Sequence, residues 1–322
     1  MTSLPLSRSD GAFPMLRDVK SGLSQPQKEL SPKYFYDHRG SELFESITEL
    51  PEYYLTRAER AILLREMDGL VRTIRPGSLV ELGAGSAAKT RLILDSMHKA
   101  GSLRTYVPID VSASFLGETA ARLRTEYPGL RVDPVVADFT ERIPLPASLA
   151  RPAFVAFLGS TIGNFHPIEA VGVLRRARSA MNSEDRFLLG ADLRKDIGRL
   201  EAAYDDSAGV TAEFNRNMLR VLNRELGANF HLDQFAHRAR YNAQEHRMEM
   251  HLVAHGPQVV TIPGAGEFRF AAGESVRTEI SCKYDRETLD DMLAAAGLSA
   301  ETWLIDNAGD FAIVAAVRSG NS

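Results

Sequence analysis

The sequence predicts an α/β protein built on a doubly wound, mainly parallel sheet, with a second, smaller α+β unit. Between residues 60 and 196, amphipathic segments alternate with short apolar or β-branched runs, which is typical of parallel strands joined by crossover helices. Between residues 197 and 281, a long helical segment precedes segments of alternating polarity, which indicate antiparallel strands. Two apolar runs in ETWLIDNAGDFAIVAAVR then predict strands that return to the main sheet.

The individual elements follow from the hydrophobic period, which is near 3.6 residues in a helix and near 2 in a strand. In chain order they are AERAILLREMDGLVRTI (helix), SLVELGAG (strand and turn), AKTRLILDSMHKAG (helix), RTYVPIDVS (strand), SASFLGETAARLRTEY (helix), LRVDPVVADF (strand), ARPAFVAFLGSTIGNF (strand and loop), PIEAVGVLRRARSAM (helix) and DRFLLGADL (strand). Before them we expect an irregular polar lead-in and short helical segments around SELFESITEL. We therefore place the main domain at residues 60–196 plus 283–322 and the smaller, discontinuous domain at residues 1–59 plus 197–282.

The composition and charge of the chain argue against several classes of function. Its 322 residues carry 38 Lys and Arg against 42 Asp and Glu, so no general basic field is available to bind nucleic acid. The first residues are polar and no run of about 18 apolar residues occurs, so we expect a cytoplasmic protein without a membrane partner. The single cysteine, Cys282, fits a reducing compartment. We also expect a monomer.

The stretch VELGAGSAAKT, residues 80–90, predicts a cofactor-binding turn between the first strand of the sheet and the next helix. A nucleotide triphosphate loop would need a glycine directly before Lys89, and alanine stands there. Gly83, Gly85 and Ala88 fit the loose dinucleotide pattern G-x-G-x-x-[GA], so the turn alone leaves a dinucleotide open. Glu81 adds the form E-x-G-x-G, which resembles the first motif of S-adenosylmethionine-dependent methyltransferases.

Acidic residues at the ends of the next two strands favour S-adenosylmethionine. Asp110 ends YVPIDVS, and its carboxylate can accept hydrogen bonds from both ribose hydroxyls. Asp138 and Phe139 follow the third strand, where the acid can accept from the adenine amino group and the ring can lie on the base. A dinucleotide would rest its pyrophosphate on the helix amino end, whereas S-adenosylmethionine has no phosphate and tolerates a carboxylate at Glu81. The sequence therefore predicts S-adenosylmethionine as methyl donor.

Four longer stretches carry a specific resemblance to a known family. They are FLGSTIGNF (157–165), AYDDSAGVTAEFNRNMLRVLNREL (203–226), LPEYYLTRAE (50–59) and TEISCK (278–283). Together they resemble the histidine Nα-methyltransferases of ergothioneine biosynthesis, over nearly the whole chain. The resemblance implies a Rossmann-like methyltransferase sheet with a substrate-binding domain, and an enzyme that trimethylates the α-amino group of L-histidine to hercynine.

The resemblance also implies the residues of the site. The family's S-adenosylmethionine contacts fall on Gly83, Lys89, Asp110, Asp138 and Phe139, and the glycine motif adds Glu81 and Gly85. Its contacts to the histidine backbone fall on Tyr53, Asn164 and Tyr204, with Tyr36 near the amine, and its imidazole contacts fall on Glu279, Ile280, Ser281, Phe44 and Met250. We expect Tyr36, Tyr53 and Asn164 to take part in catalysis. The chain departs from the family at His251, where tryptophan is usual, and at PKYFYD, which usually reads PKWFYD.

The residue pattern around Glu279 supports this assignment independently. In VRTEISCK, strand alternation places Glu279 and Ser281 on one face and Ile280 and Cys282 on the other. A solvent-facing strand would show the same pattern. A carboxylate beside a hydroxyl can instead clasp both nitrogens of an imidazole, one accepting the N–H and one donating to the bare nitrogen. Such a pair would penalise an amino acid whose side chain lacks the N–H.

A metal site is the last chemical possibility that the sequence raises. Five of the eight histidines lie between residues 231 and 255: His231, His237, His246, His251 and His255. On a strand, His246 would lie on the face opposite His251 and His255, and no cysteine completes a tetrahedral set. We therefore expect no metal in the reaction.

Two alternatives remain open from the sequence. One is a methyltransferase that acts on another free amino acid or small amine. The other is a nicotinamide-dependent oxidoreductase or a non-catalytic module that binds a dinucleotide at Gly83 and Gly85. Binding of S-adenosylmethionine in preference to a dinucleotide would separate the second class from the first.

Overall fold

The computed structural model of the chain describes residues 9–84, 89–111 and 113–320. The chain divides into two compact units: unit 1 comprises Met1–Tyr54 and Asp196–Ile280, and unit 2 comprises Leu55–Lys195 and Ser281–Ser322. The sequence placed the boundaries after residues 59, 196 and 282. The structure divides the chain after residues 54, 195 and 280. The first boundary differs most, because one continuous helix, Tyr54–Ile74, carries almost all of its length in unit 2.

The described helices and strands are as follows. The α-helices are α1 (Ser9–Leu23), α2 (His38–Thr48), α3 (Tyr54–Ile74), α4 (Thr90–Lys99), α5 (Ala113–Glu126), α6 (Pro167–Ala180), α7 (Ile197–Tyr204), α8 (Val210–Leu226) and α9 (Arg286–Ala295). The strands are β1 (Lys28–Glu29), β2 (Ser78–Leu82), β3 (Thr105–Asp110), β4 (Arg131–Val132), β5 (Val135–Val136), β6 (Ala153–Phe157), β7 (Arg186–Asp192), β8 (Phe235–Asn242), β9 (Arg247–Ala254), β10 (Gln258–Ile262), β11 (Gly266–Phe270), β12 (Ser275–Cys282), β13 (Leu298–Ile305) and β14 (Phe311–Arg318).

Unit 2 is a doubly wound sheet, as the sequence predicted. Its strand order is β13-β14-β7-β6-β2-β3-β4, with β5 also paired to β3. The pairs from β7 through β6, β2 and β3 to β4 are parallel, whereas β14 runs antiparallel to both β7 and β13. The chain leaves β2 first towards β3 and later returns to its other side as β6. The order therefore reverses between β2 and β6, which is where such sheets bind ligands at the carboxyl ends of their strands.

Burial explains why the central strands were recognisable from the sequence. Every residue of β2 and of β6 is buried, as parallel strands covered on both faces require. The expectation of one strand over LRVDPVVADF was wrong in detail, because the segment forms the two short strands β4 and β5. Pro134 lies between them and has no N–H to donate to a sheet.

The polar lead-in expected before the first domain was also wrong, because residues 9–23 form helix α1. Its later turns place Val19 and Leu23 four residues apart on one face, and both are buried. This apolar spacing is short and is interrupted by polar residues, so its period is weak in the sequence. Packing within unit 1, where Leu16 lies beside Gly264, supplies the contact that stabilises the helix.

Unit 1 combines a four-stranded sheet, ordered β1-β12-β9-β8, with the antiparallel hairpin β10-β11. Strands β8 and β9 pair antiparallel along their full lengths, as the alternating sequence predicted. Helix α8 packs on this sheet and on α2, and its Phe214 stacks on Phe35 with ring centroids 4.5 Å apart. No helix in the described parts of the chain is both long enough and apolar enough to cross a bilayer.

A buried carboxylate in β9 concentrates the charge of unit 1. Glu249 is 2% exposed and accepts hydrogen bonds from Arg247 at 2.8 Å, from Asn242 at 3.1 Å and from the His251 ring at 3.1 Å. Burial alone would raise the pKa of Glu249, but these hydrogen bonds lower it to about 2. His251 therefore belongs to a structural ion network, and burial lowers the pKa of its ring.

We expect Glu249 to make the stability of unit 1 depend on acid. Because its pKa in the folded protein is lowered to about 2 from 4.5, its stabilisation is complete above pH 5 and is lost as the pH falls towards 2. The pH-dependent part should be on the order of 3 kcal/mol. Urea unfolding of the wild type and of Glu249→Gln between pH 7 and pH 3 measures it. The difference between the two proteins should shrink on acidification, and a difference that stays constant would contradict the assignment.

Candidate active site

The glycine turn after β2 has the geometry that a closely bound ligand requires. Gly83 has φ +69°, a conformation that favours glycine, and its N–H donates to the carbonyl of Ile109 at 2.8 Å. A Cβ on Gly83 would lie 3.7 Å from the ring of Phe139, so a side chain here would fill the space beside that ring. Gly85 and Ala88, also part of the predicted motif, lie outside the described residues.

The next two strand ends lie beside this turn. Asp110 is the last residue of β3 and pairs with Val136 of β5. It directly follows Ile109, whose carbonyl accepts the hydrogen bond from the Gly83 N–H. Asp138 and Phe139 come after β5, and the Phe139 ring packs edge-on against Phe157 at the end of β6, with centroids 5.3 Å apart. One carboxylate oxygen of Asp138 accepts from the Thr140 N–H at 2.8 Å, so this acid also stabilises its own turn.

Glu81 faces protein groups of the same unit. Its carboxylate accepts a hydrogen bond from the Tyr106 hydroxyl at 2.6 Å and lies 2.6 and 2.7 Å from the Thr90 hydroxyl oxygen. Burial raises the pKa of Glu81 to about 7, against the effect of these two hydroxyls. The side chain thus ties the end of β2 to β3 and to the first residue of α4. It supports the turn whether or not it also contacts the cofactor.

A buried carboxylate that the sequence analysis did not single out orients Lys89. Glu59, in α3, is fully buried and forms an ion pair with the Lys89 ammonium. Its other oxygen accepts from the N–H of Gly159, two residues after the end of β6, at 2.7 Å. Glu59 therefore links Lys89, which directly precedes α4, to the loop that follows β6. In the sequence, Glu59 resembles any other glutamate of a helix, so no local pattern could have identified it as a partner of Lys89.

These residues fit S-adenosylmethionine. The turn at Gly83 offers close backbone approach, Asp110 stands at the strand end where ribose hydroxyls need an acceptor, and Phe139 borders the turn. Unit 2 therefore has the sheet, the turn and the strand-end acids of a methyl-donor site.

In unit 1, the aromatic residues predicted to bind the amino acid form one continuous cluster. Tyr36 contacts Phe44 at a centroid distance of 5.7 Å, Phe44 contacts Tyr53 at 6.3 Å, and Tyr53 contacts Tyr204 at 6.4 Å. Phe214 touches both Tyr36 and Phe44 and was not predicted, because in the sequence it is one apolar residue of helix α8. Most of the cluster is buried; Tyr36 is 45% exposed, whereas Tyr53 is 8% exposed.

A buried amide holds the strands behind this cluster. Asn215 is fully buried, accepts from the Thr278 hydroxyl at 2.7 Å and donates to the carbonyl of His251 at 3.1 Å. The Thr278 hydroxyl also lies 3.1 Å from the carbonyl of Met250. Asn215 further contacts the ring of His237, whose other nitrogen contacts the carbonyl of Tyr204. The network fixes β9, β12 and the end of α7, which carry Met250, Glu279 and Tyr204.

Strand β12 alternates in burial from Ser275 to Ile280, whereas Ser281 and Cys282 at its end are both buried. Ser275, Arg277 and Glu279 are half-buried, while the intervening Val276, Thr278 and Ile280 are buried. Arg277 shares the face of Glu279 but pairs with Glu29 at 2.9 Å and lies 3.4 Å from Glu249.

The loop after β6 packs against the end of β12 within unit 2. Asn164 ends the 3-10 helix Thr161–Asn164. A Cβ on the preceding Gly163 would lie 2.9 Å from the Cys282 carbonyl oxygen and 3.4 Å from the Ser281 hydroxyl oxygen, so only glycine permits this approach. The structure therefore places Gly163, the residue before Asn164, against Ser281 and Cys282.

The histidine-rich window does not gather metal ligands in the described structure. His237 and His251 are engaged in the buried networks above. Among residues 9–84, 89–111 and 113–320, no group of three or more His, Cys, Asp or Glu side chains is arranged to hold a metal ion.

The sheet and the glycine turn with its strand-end acids define an S-adenosylmethionine-dependent methyltransferase. A family model described as "Histidine-specific methyltransferase, SAM-dependent" matches residues 15–318. The chain belongs to this family. Membership confirms S-adenosylmethionine as the methyl donor and decides against the nicotinamide-dependent oxidoreductase that the glycine pattern had left open.

The names of similar proteins agree with the family. A histidine N-alpha-methyltransferase of Mycolicibacterium smegmatis is 46% identical over 97% of this chain and 98% of its own length. One of Mycobacterium tuberculosis is 47% identical over the same shares of both chains. The Ergothioneine biosynthesis protein 1 of Neurospora crassa is 28% identical over 87% of this chain, which corresponds to 32% of that larger protein.

Proposed function

We propose that this enzyme transfers three methyl groups in succession from S-adenosylmethionine to the α-amino nitrogen of L-histidine, giving hercynine for ergothioneine biosynthesis. The observation that carries the proposal is the placement of Glu279 and Ser281 two residues apart on β12, where an acceptor and a hydroxyl match the two nitrogens of imidazole. The names of the mycobacterial and fungal relatives support the same substrate and pathway.

We assign the methyl donor to unit 2 and the amino acid mainly to unit 1. In unit 2 the donor would be held by Gly83, Gly85, Lys89, Asp110, Asp138 and Phe139, with Glu81 supporting the turn. The candidate residues for the amino acid are Phe44, Tyr53, Asn164, Tyr204, Met250, Glu279, Ile280 and Ser281. We further propose that the enzyme works as a monomer in the cytoplasm, without a nucleic acid or membrane partner.

The chemistry asks the protein for positioning. The sulfonium of the donor supplies an activated methyl group, so no covalent nucleophile is needed. Tyr53, Tyr204 and Asn164 would hold the amino acid backbone so that the amine lone pair lines up with the methyl group at near-attack distance. Firm contacts to the carboxylate and the ring, with few contacts to the amine, let the nitrogen grow from a primary amine to a quaternary ammonium. The faces of Tyr36 and Tyr53 can stabilise the cationic product.

Proton loss from the amine should not require a dedicated strong base. We expect Tyr36→Phe and Tyr53→Phe each to lower kcat by less than about tenfold, because the ring that faces the cation remains and the proton can leave to solvent. Steady-state kinetics with L-histidine at saturating donor measures the effect, and Tyr241→Phe on β8 is the matched control. A loss of about 10²–10⁴-fold in either variant, typical of removing a general base, would show that the hydroxyl takes the proton.

Mass spectrometry tests the proposed function directly. The purified enzyme is incubated with S-adenosylmethionine and L-histidine, and in parallel with each of the other amino acids. Histidine alone should gain one, two and then three methyl groups. Methylation of a different amino acid in preference to histidine would keep the fold and the donor but overturn the assigned substrate.

A further inference from the structure

A fully buried lysine follows directly on β12 and has no role in the function proposed so far. Lys283 is 1% exposed, although lysine almost never lies in a protein interior without a charged partner. Its ammonium lies 2.8 Å from the carboxylate of Asp192, at the end of β7, and donates to the hydroxyl oxygen of Ser281 at 2.9 Å. All three residues belong to unit 2.

Backbone pairing holds this ion pair in place. The N–H of Tyr284 donates to the Asp192 carbonyl at 3.0 Å, and the N–H of Arg194 donates to the Tyr284 carbonyl at 2.8 Å. The N–H of Asp192 itself donates to the hydroxyl oxygen of Ser160 at 2.9 Å. Lys195 forms a second ion pair with Asp192. The carboxylate is therefore fixed on several sides, and the Lys283 ammonium that it binds has little freedom to move.

The ammonium dictates the direction of the hydrogen bond at Ser281. A lysine ammonium has three donors and no acceptor, so the Ser281 oxygen must accept from it. The hydroxyl hydrogen of Ser281 is consequently directed away from Lys283 and can only be donated to another group. A serine without such a neighbour rotates its hydroxyl and can either donate or accept.

We propose that Lys283, held by Asp192, is a positioning residue that fixes Ser281 as a hydrogen-bond donor and thereby selects a substrate ring with a bare nitrogen. The inference rests on the proposed function, since it assumes that Ser281 meets the imidazole. Glu279 would accept the ring N–H, while Ser281 would donate to the other nitrogen. A ring with a C–H in that second position leaves the Ser281 donor without an acceptor and is disfavoured.

Substrate discrimination tests the proposal. The competing substrate is alanine carrying a pyrrole ring, in both ring isomers, which keeps an N–H but has a C–H in place of the bare nitrogen. The wild type should prefer L-histidine by about 10–10²-fold in kcat/KM, as expected for one unsatisfied donor. In Lys283→Met this preference should fall about tenfold, and in Ser281→Ala by a similar factor. In the double variant Lys283→Met/Ser281→Ala, the preference for L-histidine should be the same as in Ser281→Ala alone.

The ratio separates positioning from a merely structural role. A structural defect would lower kcat/KM for both substrates alike and leave the preference unchanged, which would overturn the proposal. Lys99→Met is the matched control, because Lys99 is an exposed lysine of the same unit, paired with Asp68. Binding of S-adenosylmethionine, measured by calorimetry, should be the same in all variants.

A second variant keeps the test decisive. Where Lys283→Met does not yield folded protein, Lys283→Gln is used; its amide oxygen can accept, so Ser281 regains its freedom and the preference should again fall. An unchanged preference in this variant would equally overturn the proposal. Absence of histidine methylation by the wild type would instead overturn the proposed function, so the two failures are distinguishable.

Discussion

Replacing Glu279 by alanine should lower kcat/KM for L-histidine by about 10²–10³-fold, mainly through KM. The carboxylate on β12 is the proposed acceptor for the imidazole N–H, and a hydrogen bond to a charged group together with the unsatisfied N–H left behind accounts for about 3–4 kcal/mol. Steady-state kinetics over a range of histidine concentrations measures the effect. The affinity for S-adenosylmethionine, measured by calorimetry without histidine, should not change, because the donor is assigned to unit 2.

Two comparisons make this experiment specific. Glu267→Ala removes an exposed glutamate from strand β11 of the same unit and should leave kcat/KM near the wild-type value. A small panel of other amino acids shows whether the variant has lost its preference for imidazole. If Glu279→Ala retained kcat/KM for histidine within a factor of about three, Glu279 would not bind the ring. The hypothesis that Glu279 and Ser281 bind the two imidazole nitrogens would then be wrong.

Replacing Asp110 by alanine should raise the dissociation constant for S-adenosylmethionine by about 10²-fold, or about 3 kcal/mol. The carboxylate at the end of β3 is the proposed acceptor for both ribose hydroxyls, and hydrogen bonds to a charged group contribute about 1.5–3 kcal/mol each. Isothermal calorimetry on the purified protein measures it. When the donor is saturating, much of the turnover should return. The ribose hydroxyls that Asp110 is proposed to bind are separated from the transferred methyl group by several bonds of the donor.

The control for Asp110 is Asp291→Ala, which removes an exposed carboxylate from α9 in the same unit. It should bind the donor as the wild type does. Circular dichroism shows whether each variant is folded. An Asp110→Ala protein with unchanged affinity would place the ribose elsewhere, and the strand-end interpretation would then depend on Asp138 and Phe139 alone.

Local sequence patterns were enough to predict the doubly wound sheet. The strands SLVEL and AFVAF are mostly apolar and fully buried because both of their faces are covered, and their crossover helices repeat with a period near 3.6. The prediction failed where a local signal was weak or composite, as in LRVDPVVADF, which Pro134 divides into two strands. The irregular lead-in failed for the same reason, since α1 depends on packing within unit 1 for its stability.

Family membership and the methyl donor were also accessible from the sequence, because the glycine turn, the strand-end acids and the four longer motifs are contiguous stretches. The residues that orient these groups were not. Glu59 reads as one more helical glutamate until folding brings it to Lys89 and to the N–H of Gly159. Asn215 likewise looks like a polar residue of a helix and is instead the hydrogen-bonding centre behind Tyr204 and Met250.

The sequence by itself thus determined the fold class, the family and the donor, since each depends on patterns within a few tens of residues; the contact residues that it suggests stay a prediction. Only the tertiary structure decided how those contacts are held. The ion pair of Lys283 with Asp192 joins the end of β12 to the end of β7, which are far apart along the chain. Without water around it, a buried charge that loses its partner is strongly destabilising. Whether a residue is buried depends on every element that packs around it, and this cannot be read from a short stretch of sequence.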